Sequence, residues 1–261
     1  MYIDVNGEST FIASGGKPFD RELPTVVMLH GSSLDHRCWA LQARWFAFHG
    51  YSVFAPDLPG HSLSQGEALT SIEAMGAWLV DALDAAGVEK VHLIGHSQGF
   101  LVALEAASIL GQRAQSILAL ATAAAIPVNP ALVETAHTDA SKAADMMLQW
   151  GFGNGHQYGL SSVPGMQPIG IGQRIMAGNP LATDLEACNN YHNGNKRAAS
   201  LTCPRHVVLA EQDRMTPLKQ GLQLAQTMGV EAQIINGTGH MLPMESPRQS
   251  LQAMQAFIQS L

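Results

Sequence analysis

The sequence predicts an α/β fold, a mostly parallel β-sheet with helices on both faces. Three observations carry this reading. Short apolar runs recur along the 261 residues, at 25–29, 51–55, 91–94, 117–120, 206–209 and 232–235. They are nearly continuous, which fits strands buried on both faces better than strands with one wet face. Between them lie stretches with apolar residues at helical spacing, and strands that alternate with helices build parallel, covered sheets.

Taken in order, Tyr2-Ile3-Asp4-Val5 and Ser9-Thr10-Phe11-Ile12 flank Asn6-Gly7, the signal of an opening β-hairpin. Thr25 to Leu29 is the first buried strand and Tyr51 to Ala55 the next. Ile72, Met75, Leu79, Leu83 and Ala86 then recur at helical spacing, with Thr70 and Glu73 as a capping box and Gly87 as the stop. Val91 to Ile94 precedes a second helical stretch from Leu101, and Ile117 to Leu120 follows it. His206 to Leu209 and Ala232 to Ile235 complete the series, and Leu251, Met254, Phe257 and Ile258 mark a closing helix.

Residues 125–200 break this rhythm. They hold no clear buried strand, but many glycines, Met146, Met147, Met166 and Met176, and the aromatics Trp150, Phe152, Tyr158 and Tyr191. The expected organisation is a core of 1–124 and 201–261 with an inserted helical cap, or lid, at 125–200.

Composition narrows the function. Apolar residues make up 46% and charged residues 13%, so a sizeable core is expected and disorder is not. A net charge of −7 argues against nucleic acid or an anionic membrane as partner. Cys38, Cys188 and Cys203 are scattered and show no C-x-x-C spacing, as expected of free thiols in a reducing compartment. No histidine pair has zinc-like spacing, so no metal is expected. The N-terminus lacks the basic and apolar regions of a signal peptide, and the run from Ile117 to Val128 is too short to span a bilayer. These features predict a soluble cytoplasmic protein whose partner is a small molecule. A homodimer stays open.

The most specific motif is Gly95-His96-Ser97-Gln98-Gly99, a G-x-S-x-G set between a strand-like run and a helix-like one. There the chain must reverse within a few residues, and the serine is held with its hydroxyl above the sheet. A serine hydroxyl is a poor nucleophile without a base, and the base needs an orienting carboxylate. Asp213 follows the 206–209 run and His240 follows the 232–235 run, so both belong at strand ends. The backbone N–H groups of Gln98 and of Ser32, in His30-Gly31-Ser32-Ser33, are the candidate donors to an oxyanion.

With these residues in view, the chain resembles the α/β-hydrolase superfamily over nearly its whole length. The elbow is joined by His30-Gly31, by Asp57-Leu58-Pro59-Gly60-His61-Ser62-Leu63-Ser64, similar to a D-x-x-G-x-G-x-S loop, and by Asp213 with Pro217. Gly239-His240 followed by Glu245-Ser246-Pro247 completes the set, and the order Ser, Asp, His is the family's. The resemblance implies about eight strands, a lid after the sixth, and a capped, esterase-like enzyme. Two departures stand out: His61, read as standing where glycine is usual, and Phe100, where a small residue is commoner.

The expected activity is cleavage of a small or medium carboxylic ester, lactone or related acyl compound through an acyl-serine, with no cofactor. Ser33, His36, Trp39, Phe100 and Trp150 are the candidate substrate-binding residues. His96 is expected to pack beside the serine, His30 to prop the oxyanion loop, and Asp57 to hold a turn. The same triad resembles that of C–C bond hydrolases and cofactor-free dioxygenases, and some proteins of this fold are small-molecule receptors with little turnover. Serine at the elbow argues against dehalogenases and epoxide hydrolases, whose resemblance implies aspartate there.

Overall fold

A computed structural model describes residues 1–157 and 159–261; Tyr158, one of the aromatics noted above, lies outside them. Its eight strands are β1 (Tyr2–Val5), β2 (Glu8–Ala13), β3 (Thr25–Leu29), β4 (Ser52–Pro56), β5 (Val91–His96), β6 (Ala114–Leu120), β7 (Arg205–Ala210) and β8 (Ala232–Ile235). They form one sheet in the order β1-β2-β4-β3-β5-β6-β7-β8. Pairing is antiparallel from β1 to β4 and parallel from β4 to β8. The hairpin turn has φ 56° at Asn6 and 88° at Gly7, the two left-handed residues that Asn-Gly tolerates.

Successive side chains of a strand point to opposite faces. Val27, Leu29, Leu93, Ile117 and Leu209 therefore join one core, with the helices Ile72–Ala85, Gln98–Leu110 and Leu218–Met228. Val26, Met28, Ile94, Leu118 and Val208 join the other, with Ala40–Phe48 and Pro247–Gln259. This double burial is why the strands read as continuous apolar runs. One local expectation is corrected: Ser71, not Thr70, caps the first long helix. Ser71 is extended (φ −143°) and its Oγ accepts the Ala74 N–H at 3.2 Å. Glu73 instead accepts a bond from Asn193 at 2.8 Å.

Between β6 and β7 the chain forms the helices Pro130–Thr138, Ala140–Gly151, Asn154–Gln157, Pro168–Met176, Leu181–Asn189 and Gly194–Ala199, and no strand among the described residues. This insertion has no core of its own. Leu132, Met147, Ile175 and Leu185 pack into the cluster that holds Met28 and Leu118. Its far end is fastened by charge: buried Glu105 accepts from Tyr191 Oη at 2.8 Å and from Arg197 Nε at 3.0 Å. No helix of the described residues is long and apolar enough to cross a membrane.

Parallel strands turn their carboxyl ends to the same edge, where ligands of such sheets bind. The loops after β3, β5, β7 and β8 thus bring residues 30–33, Ser97, Asp213 and His240 together.

Candidate active site

The elbow is built by two glycines with no room for a side chain. A Cβ on Gly95 would lie 2.4 Å from the Phe100 nitrogen, and one on Gly99 would lie 2.3 Å from the Leu29 carbonyl oxygen. Close packing of the helix on β3 and β5 forces Ser97 into φ 52°, ψ −123°. The strain is held from both sides, by Ser97 N–H on Leu120 O at 3.1 Å and Thr122 Oγ1 on Ser97 O at 3.0 Å.

His240 Nδ1 donates to Asp213 Oδ2 at 2.8 Å. The same Oδ2 accepts from Thr216 Oγ1 at 2.8 Å, and Oδ1 accepts the N–H groups of Met215 (2.9 Å) and Thr216 (2.8 Å). Burial alone would push the Asp213 carboxyl up, but His240 and the Thr216 bonds outweigh it and hold it below the usual carboxylate range. With Nδ1 committed, Nε2 is the nitrogen left for a proton transfer.

His96 lies under this assembly. Its Nε2 donates to the His240 carbonyl oxygen at 2.8 Å, and its buried Nδ1 has no partner. Burial and the neighbouring His240 ring push it down to about 3, so it is a neutral prop. On the other side, buried Glu245 accepts the Gly239 and Gly153 N–H groups at 2.9 Å each, tying the His240 loop to the insertion. Burial pushes this carboxyl up to about 7.

The loop after β3 crosses directly over the elbow, since a Cβ on Gly31 would lie 3.1 Å from Ser97 Cβ. His30 props it as expected: its Nε2 accepts the Leu58 N–H at 3.3 Å, so Nδ1 carries the proton given to Gly31 O at 3.0 Å. The Ser33 N–H is taken by Asp184 at 2.6 Å, whereas Ser32 N–H has no acceptor among the described residues. Gln98 opens its helix, so its N–H has no carbonyl one turn back to bind.

Ser32, Ser97 and His240 line one cavity of about 160 Å³. Its walls are mostly apolar: Ile126, Pro127, Val128, Leu132, Met147, Trp150, Leu185 and Met215, with Cys188, Asn129, Thr216 and Arg214 completing them. Larger depressions of about 550 to 670 Å³ elsewhere on the surface touch neither Ser97, Asp213 nor His240.

Of the five candidate substrate contacts, only Trp150 lines this cavity. Phe100 and Trp39 are fully buried, one in each of the two cores. Ser33 is turned away by its bonds to the insertion, and His36 is held by Asp57, whose Oδ1 lies 2.8 Å from its Nδ1. Asp57 also accepts the His36 and Leu63 N–H groups at 2.9 and 3.2 Å, so it holds a turn. Asp35, His36 and Asp57 could bring ligand atoms within 4.8 Å of one another. Arg37, 2.6 Å from Asp35, and these N–H donors already occupy the carboxylates.

The glycine-demanding residue of the 57–64 loop is also not His61. Gly60 (φ 75°) and Ser62 (φ 46°) are the left-handed residues there, so it is Ser62 that stands in a conformation suited to glycine. His61 is instead buried against Asp184 at 3.0 Å. Thr216, Asp184 and the wall residues 126–129 were missed in the sequence. Only Thr216 carried a signal, a hydroxyl three residues after an acid at a strand end.

Among known proteins, the profile described as "Alpha/beta hydrolase family" matches residues 26–253. The chain is 34% identical over 134 residues to epoxide hydrolase 3 of Siraitia grosvenorii, a match spanning 50% of this chain and 40% of that protein. It is 22% identical over 265 residues to carboxylesterase YbfK of Bacillus subtilis, covering 97% of this chain and 84% of the other. The enol-lactonase from Burkholderia xenovorans LB400 superposes with a TM-score of 0.85 at 20% identity, covering 99% of this chain and all (100%) of that one.

Proposed function

The chain belongs to the alpha/beta hydrolase family, and on that premise we propose that it is a serine hydrolase of a small or medium carboxylic ester, lactone or related acyl compound. The observation that carries this reading is the meeting of Ser97, His240 and Ser32 on one apolar cavity, with His240 tied to Asp213. Serine at the elbow favours an acyl substrate over an epoxide, and the epoxide hydrolase match is confined to half of the chain.

In this reading His240 Nε2 takes the Ser97 proton as Oγ attacks the carbonyl carbon. The N–H groups of Ser32 and Gln98 hold the oxyanion. The imidazolium, stabilised by Asp213, returns the proton to the leaving alcohol. Water, deprotonated by the same nitrogen, then attacks the acyl-serine and releases the acid. A dry cavity of about 150 Å³ accommodates a benzene ring, so about 160 Å³ suits a short acyl chain or a small lactone.

The test is hydrolysis of p-nitrophenyl esters of graded acyl length by wild type and Ser97→Ala, with fluorophosphonate labelling of Ser97. Serine-dependent turnover with a short-chain optimum is expected. The absence of both turnover and labelling would reject the reading.

A further inference from the structure

We propose that Asp184, with His61 as its counter-ion, is a positioning residue that sets the oxyanion hole from the helical insertion. The inference rests on the acyl-transfer reading above. Asp184 lies in the helix Leu181–Asn189, and its fully buried Oδ2 accepts both the Ser33 N–H at 2.6 Å and His61 Nε2–H at 3.0 Å. The other His61 nitrogen is 3.0 Å from the Pro59 carbonyl, which can only accept. Nδ1 therefore carries a proton, and with a second on Nε2, the form that the neighbouring Asp184 carboxylate favours, His61 is an imidazolium.

Buried ion pairs are a poor route to stability, because desolvation offsets much of the attraction. This one is not even saturated, since Asp184 Oδ1 is buried without a partner. What the pair does achieve is geometric. It fixes the Ser33 peptide while Ser33 sits in a left-handed conformation, at φ 57°. With Ser33 N–H held away, the preceding N–H, of Ser32, has no acceptor among the described residues and belongs to a residue that lines the cavity with Ser97. Asn179, from the same insertion, holds the loop from its other side. It donates to Ser33 O and Leu34 O at 3.0 Å each and accepts the Ser62 N–H at 2.8 Å. The insertion thus does more than wall the substrate cavity; it aims a donor at the reacting carbonyl.

Such an arrangement should act on the transition state more than on substrate binding. The experiment compares wild type, Asp184→Asn, Asp184→Ala and His61→Gln on one p-nitrophenyl ester. The kcat is divided by the fraction of Ser97 that a fluorophosphonate labels, and the affinity for an alkyl trifluoromethyl ketone is measured as a tetrahedral-oxyanion mimic. Losing an oxyanion donor costs about 100-fold or more in kcat. Asp184→Ala is expected to approach that loss per labelled serine, with a parallel loss of ketone affinity and little change in KM. Asp184→Asn, which keeps an oxygen acceptor for Ser33 N–H, should recover about tenfold of it. His61→Gln should fall between Asp184→Asn and wild type.

A merely structural Asp184 would lower the labelled fraction but leave kcat per labelled serine and ketone affinity near wild type, and would overturn the proposal. Should neither Asp184 variant fold, His61→Gln decides: kcat and ketone affinity unchanged per labelled serine also overturn it. Failure of the parent reading looks different, because wild type itself would then show no Ser97-dependent turnover.

Discussion

The His96 ring hangs from the backbone of His240, its Nε2 donating to the His240 carbonyl oxygen over 2.8 Å. In the proposed mechanism, the residue before the nucleophile thereby holds the base. Replacing His96 with phenylalanine would leave that carbonyl only the Leu242 N–H, at 2.9 Å, and the lost hydrogen bond costs about 0.5–1.5 kcal/mol. The expected result is a lower Tm together with a kcat loss that exceeds any change in KM. Thermal unfolding and steady-state kinetics check both. A variant with normal kcat would mean that Asp213 alone orients the ring.

Ser62 offers the opposite outcome, a substitution that stabilises. Its φ of 46° is a conformation that costs a side-chain-bearing residue about 1 kcal/mol. Its side chain is exposed, and its N–H bond to Asn179 would survive in glycine. Ser62→Gly should therefore raise stability by roughly 0.5–1 kcal/mol, some of the gain being offset by glycine's greater freedom when unfolded. Urea unfolding measures it directly, and catalysis should be unchanged.

The residues around the elbow differ in how far the sequence reveals them. The strands, the turn at Ser97 and the placing of Asp213 and His240 past strand ends were legible because each is a local pattern: an apolar run, a glycine pair, an acid or histidine just past a strand. The roles of His61 and Asp184 were not. Their partners are each other and Ser33, 123 and 151 residues from Asp184 along the chain, and nothing in the helix around Asp184 marks it as buried. Phe100 and Trp39 misled for a related reason. Proximity to the elbow or oxyanion loop in sequence says nothing of which side chains enter a core, and both rings do. The apolar wall at 126–129 had no periodicity to reveal it, since those residues form an irregular connection.

The His61–Asp184 pair predicts a pH dependence of stability. Burial works against the charged imidazole, but Asp184, Pro59 O and Asp57 outweigh it and raise His61 above its ordinary 6.5. His30, with its ring centroid 5.0 Å away, is neutral and lowered by burial. A raised imidazole contributes stability that is complete below pH 6.5 and is lost as pH rises through the folded-state value. Asp184 is lowered despite burial, so its share is present above 3.8 and lost on acidification. Removing one partner of a buried pair costs about 3–5 kcal/mol. Urea unfolding of wild type and His61→Gln should thus differ most near pH 6 and converge in alkali. A difference that held constant up to pH 9 would mean that His61 contributes by packing rather than charge.

The size of the cavity makes the last prediction. Leu132 and Met147 are both buried and both line it, on facing helices of the insertion. Each methylene of substrate that finds or loses a matching surface changes kcat/KM by about 10-fold or more. Met147→Ala should lengthen the preferred acyl chain by one or two carbons and weaken the shortest esters. Leu132→Ala should do likewise, whereas Phe100→Leu, altered in the core behind the elbow, should change stability without moving the optimum. A chain-length series on the three variants checks this. If Phe100→Leu moved the optimum and the two alanine variants did not, the acyl group would have to bind outside the cavity that Ser97 and His240 share.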